Sequence, residues 1–96
     1  MNYTTCTMIC VHTPKEKVLD LVDLFTLKGE IVLLSCFNII NDASIEDASY
    51  IEMDQEKINI SDKLVILGEL SPTDDYANAL VEYAKSIGKS IQFACC

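Results

Sequence analysis

The sequence predicts an α/β fold, a parallel sheet with helices on both faces, and three observations predict it. Short apolar runs recur along the chain, stretches of helical periodicity separate them, and every connection is long enough for a crossover. The last unit is the clearest. Leu64-Val65-Ile66-Leu67 is apolar without alternation, as expected of a strand covered on both faces, and Gly68 stops it. The stretch from Ser71 to Asp75 supplies turn formers and helix N-caps. A helix is expected from about Asp75 to Ile87, closed by Gly88 as its C′ residue, with Ser90 to Phe93 returning as a strand. Strand, helix and strand make one right-handed crossover unit.

The earlier part of the chain repeats this alternation. Thr5 to Val11 is a short apolar run and reads as a central strand. Thr13-Pro14-Lys15-Glu16 follows as a capping box with proline at the first helical position. The helix runs to about Lys28, with Val18, Leu21, Val22 and Phe25 on one face, and Gly29 ends it. Glu30 to Phe37 reads as a second buried strand, and Asn38 to Ser44 as a polar connection. Ser44 followed by Asp47 signals a helix extending to about Ile60, whose inward positions are Ile45, Ala48, Ile51, Gln55 and Ile58. The expected product is a three-layer, flavodoxin-like or Rossmann-like domain spanning residues 1–96. Its four parallel strands lie in the order 2-1-3-4, with about three helices, and the switch point falls between the first and third strands.

Composition narrows the function. A net charge of −8 over 96 residues argues against nucleic acid, whose binding depends on neutralising phosphates, and against anionic membrane surfaces. No apolar run approaches the ~20 residues of a membrane span. No basic leader precedes the apolar part of the N-terminal stretch, so a cytoplasmic protein without signal peptide is expected. Cys6, Cys10 and Cys36 lie in apolar runs and read as reduced core thiols; Cys95-Cys96 could in principle hold metal or oxidise, but the only histidine, His12, has no C-x-x-C partner. No metal site is expected. Without a glycine-rich loop or basic cluster, neither a dinucleotide cofactor nor Mg²⁺ is implied, and no cofactor is expected.

Candidate functional residues gather where the strands end, because ligands of open α/β sheets bind at the carboxyl ends of strands. After the first strand come His12 and Thr13, in a turn that has no glycine and loses one backbone donor at Pro14. His12 reads either as a base or ligand contact or as a hydrogen-bonded residue at a strand end. After the third strand come Glu69, Asp74 and Asp75, with Tyr76 and Asn78 beside them. Crowded carboxylates can raise one pKa and provide a general acid or nucleophile, which makes Asp74 and Asp75 the catalytic candidates. Helix capping and the helix dipole account for the same two residues without catalysis.

KINISDKLVIL, followed by a polar loop and then VEYAKSIGKSIQF, resembles the small branch of the nucleoside 2-deoxyribosyltransferase-like family. Members of that branch have an Asp opening a hydrophobic strand, a ligand loop, and a helix reading roughly E-x-E-Y-A-K-x-x-G-K-P-[IV]. Upstream, FTLKGEIVLLSCF is similar to the family's L-x-x-x-G-x-I-V-L segment, so the resemblance covers about residues 25 to 93. It implies a nucleoside-like small ligand and a homo-oligomer. The family's nucleophilic glutamate lies four residues before the helix alanine, Ala84 here, and that position is Leu80. Glu82 is not a ready substitute, because two helical steps turn a side chain by ~200°. His12-Thr13-Pro14 stands where the branch has a Gly-Ser-Thr-like turn. Tyr76-Ala77-Asn78-Ala79 replaces its Ser/Thr/Arg-bearing approach to the glutamate. Asp54, eight before Asp62, and Asp74, six before Leu80, match acidic positions of the transferase-type site. The resemblance therefore implies the family fold with its glycosyl-transfer chemistry lost, and Asp54 joins His12, Thr13, Glu69, Asp74, Tyr76 and Asn78 as a ligand-binding candidate. A working glycosidase or transferase using Asp74 or Asp75, and a non-catalytic homo-oligomeric interaction module, are the alternatives.

Overall fold

A computed structural model describes residues 3–39 and 48–94. The elements follow in the order β1 (Thr4–Cys10), α1 (Lys15–Leu27), β2 (Glu30–Leu34), α2 (Cys36–Ile39), α3 (Ala48–Ile60), β3 (Lys63–Leu67), α4 (Asp75–Ser86) and β4 (Ser90–Ala94). The strands form one four-stranded sheet in the order β2-β1-β3-β4, and every neighbouring pair is parallel. This is the flavodoxin-like order the alternation of elements predicts. β1 and β3 lie side by side, with Ile9 against Ile66 and Cys10 against Leu67.

Each central strand buries both faces, which is why its sequence does not alternate. Cys6, Met8 and Cys10 of β1, with Val65 and Leu67 of β3, face α1 and meet Val18, Leu21 and Phe25. Ile9 and Val11, with Leu64 and Ile66, face the opposite layer. There Ile58 of α3 and Ala77, Leu80, Val81 and Ala84 of α4 cover them. Cys6, Cys10 and Cys36 are buried, and none of the three is in a disulfide. Burial raises the Cys6 thiol to about 11, with the nearby Glu30 carboxylate adding to the effect. At the amino end of the sheet, Asp62 accepts from the Thr5 N–H at 2.8 Å and donates its own N–H to Thr5 O at 2.7 Å. That reciprocal pair fixes where β3 starts against β1.

Three sequence expectations need correction. β2 ends at Leu34 instead of Phe37, because the chain turns at Ser35 into the one-turn helix α2, which joins the three longer helices among the described residues. Pro14 is the N-cap of α1 and not its first helical residue. On α3 the buried positions include Asp54, which is fully buried, while Gln55 is only half-buried. Ile58 is fully buried as expected, while Ile51, like Gln55, is half-buried. The signal at Ser44 and Asp47, Ile45, the side chain of Ala48, and Cys95-Cys96 lie outside the described residues. Among the described residues, no helix is long and apolar enough to cross a membrane.

One glycine is fixed by contact as well as by backbone angle. Gly68 has φ +95°, and a Cβ there would collide with the Val11 carbonyl oxygen, which is backbone and cannot swing away. Gly29, at φ +88°, meets nothing within 4 Å of the same added atom. Gly29→Ala should therefore cost only the left-handed backbone term, ~1 kcal/mol, whereas Gly68→Ala should cost clearly more, well above ~1 kcal/mol. Urea unfolding of both variants checks this; equal midpoints would show that the close approach carries no energy.

Candidate functional site

The switch point lies where β1 and β3 end next to each other and their connections depart. The Val11 N–H donates to Leu67 O at 2.9 Å, which carries the pairing one residue beyond β1. The next residue, His12, turns at φ +53°, a left-handed conformation uncommon for a residue with a Cβ. Thr13 donates its hydroxyl to Val11 O at 2.9 Å and braces this turn. An open cleft of about 650 Å³ results, lined by Val11, His12, Thr13, Lys17, Gly68 and Glu69. That size falls within the range of small-ligand pockets.

The β3–α4 loop closes on this turn through one polar contact. His12 Nε2 stands 3.0 Å from Asp74 Oδ1 and 3.1 Å from Asp74 Oδ2. The Asp74 carboxylate is also an acceptor for the Ser71 N–H at 2.8 Å. That backbone donor, and after it His12, holds the Asp74 carboxyl below its ordinary range. Asp74 occupies the N-cap position of α4, yet its side chain makes no capping bond to the helix. It reaches back to Ser71 and across to His12 instead. Asp75 is the first residue of α4 and is exposed, where its charge complements the helix dipole. An Asp74 held ionised is poorly suited to donating a proton as a general acid.

Asn78 and Ser71 stiffen the same loop. The Asn78 amide donates to Ser71 O at 3.0 Å, and the Ser71 and Thr73 hydroxyls lie 2.7 Å apart. Asn78 is thus engaged with the loop backbone and does not line the cleft.

On the other side of the His12–Asp74 contact lies a second cleft of about 430 Å³, lined by Phe37, Ile51, Thr73, Asp74, Asp75 and Tyr76. The Phe37 and Tyr76 rings pack with centroids 5.6 Å apart. Behind Tyr76 sits Asp54, 0% exposed and fully engaged. Its Oδ2 accepts from the Tyr76 and Ser35 hydroxyls, each at 2.6 Å, and its Oδ1 accepts from the Cys36 N–H at 3.0 Å. Lys57 Nζ lies 3.6 Å from Oδ1 and donates to Leu34 O at 2.7 Å. Burial first, and the Asp54 carboxylate second, push the Tyr76 hydroxyl well above its ordinary range. Burial is also the main cause that raises the Cys36 thiol.

The candidates predicted from sequence therefore separate into four groups, Asn78 standing alone on the loop backbone. His12, Thr13 and Glu69 line the larger cleft, while Asp74, Asp75 and Tyr76 line the smaller one. Asp54 sits in the interior, where it ties α2, α3 and α4 together. Leu80 lines neither cleft; it is 0% exposed in the core cluster with Ile9, Ile58 and Ala84. Sequence reasoning missed Lys17 and Gly68 in the first cleft, and Phe37 in the second. Lys17 had a readable signal, since it lies one helical turn after Thr13. Ser35 as a partner of Asp54 had none. Among the described residues, no three His, Cys, Asp or Glu side chains are arranged to hold a metal ion.

Fold and site together define a small α/β domain of flavodoxin-like topology with an open crevice at its switch point. No protein-family model matches the sequence, and a comparison with curated proteins finds no significant match.

Two outcomes follow from this geometry. Tyr76→Phe removes one charge-assisted bond and should cost about 1–3 kcal/mol, while Asp54→Ala strands several buried donors and should cost more; urea unfolding gives both values. Asp74, whose folded pKa is depressed below 3.8, contributes stability that is full above that ordinary value and is lost as pH falls through the lower folded one. Asp74→Asn should flatten the acid limb of stability below about pH 4. An unchanged acid limb would count against the contact.

Proposed function

We propose that this chain is a nucleoside 2-deoxyribosyltransferase-like domain that has lost glycosyl transfer and binds a nucleoside-like small molecule in the crevice between β1 and β3. One observation carries the reading. At the position where the resembling family needs a nucleophilic carboxylate, this chain has Leu80, buried without exposure among Ile9, Ile58 and Ala84. Covalent glycosyl chemistry needs a carboxylate against the anomeric carbon, and a leucine has neither charge nor lone pair. The crevice itself is retained, at about 650 Å³, with the polar groups of His12, Thr13, Lys17 and Glu69 along its walls. A few polar groups set in a mostly apolar recess are what fixes the orientation of a small ligand.

The strand order and the strand-opening Asp62 are consistent with this reading. Other surface features favour a second reading, a homo-oligomeric interaction module. Met53 and Ile60 are exposed two helical turns apart on α3, and Ile31 is exposed on the edge strand β2. Exposed apolar residues of this kind mark association surfaces when they are contiguous. Light scattering distinguishes the two, since a strictly monomeric species at high concentration counts against the interaction module.

Isothermal titration with nucleosides and nucleotides tests the ligand reading. Saturable heat with at least one of them is expected, weakened by Glu69→Gln; uniformly flat traces would remove the ligand from the proposal. Leu80→Glu should not create a transferase. It buries an unpaired charge and should cost on the order of 3–5 kcal/mol in urea unfolding.

A further inference from the structure

We infer that His12 and Asp74 form an acid–base pair that activates water in the larger cleft for the hydrolysis of a small uncharged ester. The inference is independent of nucleoside binding and makes no use of the Leu80 position.

Four observations converge on it. First, both Asp74 oxygens lie within 3.1 Å of His12 Nε2, which fixes the neutral imidazole as the tautomer with hydrogen on Nε2. The lone pair is then on Nδ1, which has no partner among the described residues. Second, Asp74 is itself anchored by the Ser71 N–H at 2.8 Å, so the orienting carboxylate is held in place. A base oriented by a third group is the arrangement that proton-transfer sites need. Third, His12 is held at φ +53°, and such strain, of order 1–3 kcal/mol, clusters at functional sites. Fourth, the imidazole is 64% exposed and borders a cleft with room for a small molecule.

The surroundings indicate the substrate class. Lys17 and Glu69 line the same cleft and their formal charges cancel, so the recess does not select an anion. Val11 and Pro14 give it apolar walls. The Lys17 ammonium is the one cation among the lining side chains and supplies positive charge for the oxyanion that forms. In the step itself, His12 Nδ1 takes a proton from water as the water oxygen bonds to the ester carbonyl carbon. The carbonyl electron pair moves onto oxygen, and the oxyanion is stabilised by Lys17. On collapse, the bond to the alcohol oxygen breaks and the imidazolium proton passes to that oxygen. The products are one acid and one alcohol, with His12 restored. Asp74 touches no reacting atom and is a positioning residue.

The test uses the full chain and p-nitrophenyl acetate, with 4-methylimidazole at equal concentration as the reference. Native protein should exceed the reference by on the order of 10²-fold, at a rate that rises with pH through a single ionisation. His12→Gln should abolish the excess, and Asp74→Asn should lower it by about 10-fold or more, with an altered pH profile and unchanged circular dichroism. Glu82→Gln, exposed on α4, should leave the rate unchanged. Native protein should also be slowed in D₂O, because a proton moves in the transition state; this readout does not depend on any variant folding. A native rate no greater than that of 4-methylimidazole would overturn the inference. So would an excess that survives His12→Gln, or the absence of a solvent isotope effect. Flat nucleoside titrations combined with ester turnover would remove the nucleoside reading and leave this one standing.

Discussion

The architecture of the crevice depends on one close approach, between the Cα of Gly68 and the carbonyl of Val11. With no Cβ in the way, the chain leaves β3 directly over the end of β1. The Val11 N–H bonds Leu67 O, and the Gly68 N–H bonds Ala94 O at 3.1 Å, so β1, β3 and β4 are stitched together at one level. Above that level the two connections must separate, since one leads to α1 and the other to α4 on opposite faces of the sheet. The cleft is the space they leave. His12 is the first residue past the contact, and its left-handed backbone is the local consequence of turning away from it.

A buried charge performs a comparable task for the opposite layer. Asp54 gathers the Ser35 hydroxyl, the Cys36 N–H and the Tyr76 hydroxyl onto one carboxylate. Lone buried carboxylates are costly, and those that persist are hydrogen-bonded or paired. Here the donors come from the end of β2 and from α2 and α4, so the charge specifies how these segments meet α3. The helix α4 is divided along its length. Ala77, Leu80, Val81 and Ala84 fill the core, while Asp74 and Tyr76 at its start border the clefts. Leu80 thus belongs to the packing half of the helix, and it helps hold the sheet whose end forms the crevice.

Much of the scaffold was legible in the sequence because the physics that builds it is local. Unbroken apolar runs gave β1 and β3, helical spacing gave the buried face of α1, and alternation with long connections gave the strand order. Leu80 was legible as core from the Ala77-Leu80-Ala84 stripe. The helix α2 was not, because Ile31 to Phe37 is apolar nearly throughout and nothing in it marks a turn at Ser35. Asp54 was assigned to a ligand crevice, since no local pattern distinguishes a carboxylate that meets three distant donors from one that meets solvent. The His12–Asp74 contact joins residues 62 positions apart, and its two ends were visible only as separate candidates. What the sequence withheld were pairings between loops, which depend on the sheet having already formed.

The central proposal is that an apolar side chain, Leu80, stands where glycosyl transfer would need a carboxylate. Incubating the native protein with deoxynucleosides and their monophosphates, and following free base by chromatography, tests it most directly. The account predicts no base release above the uncatalysed background. Release of base that a ligand of the β1–β3 crevice then suppresses would contradict it.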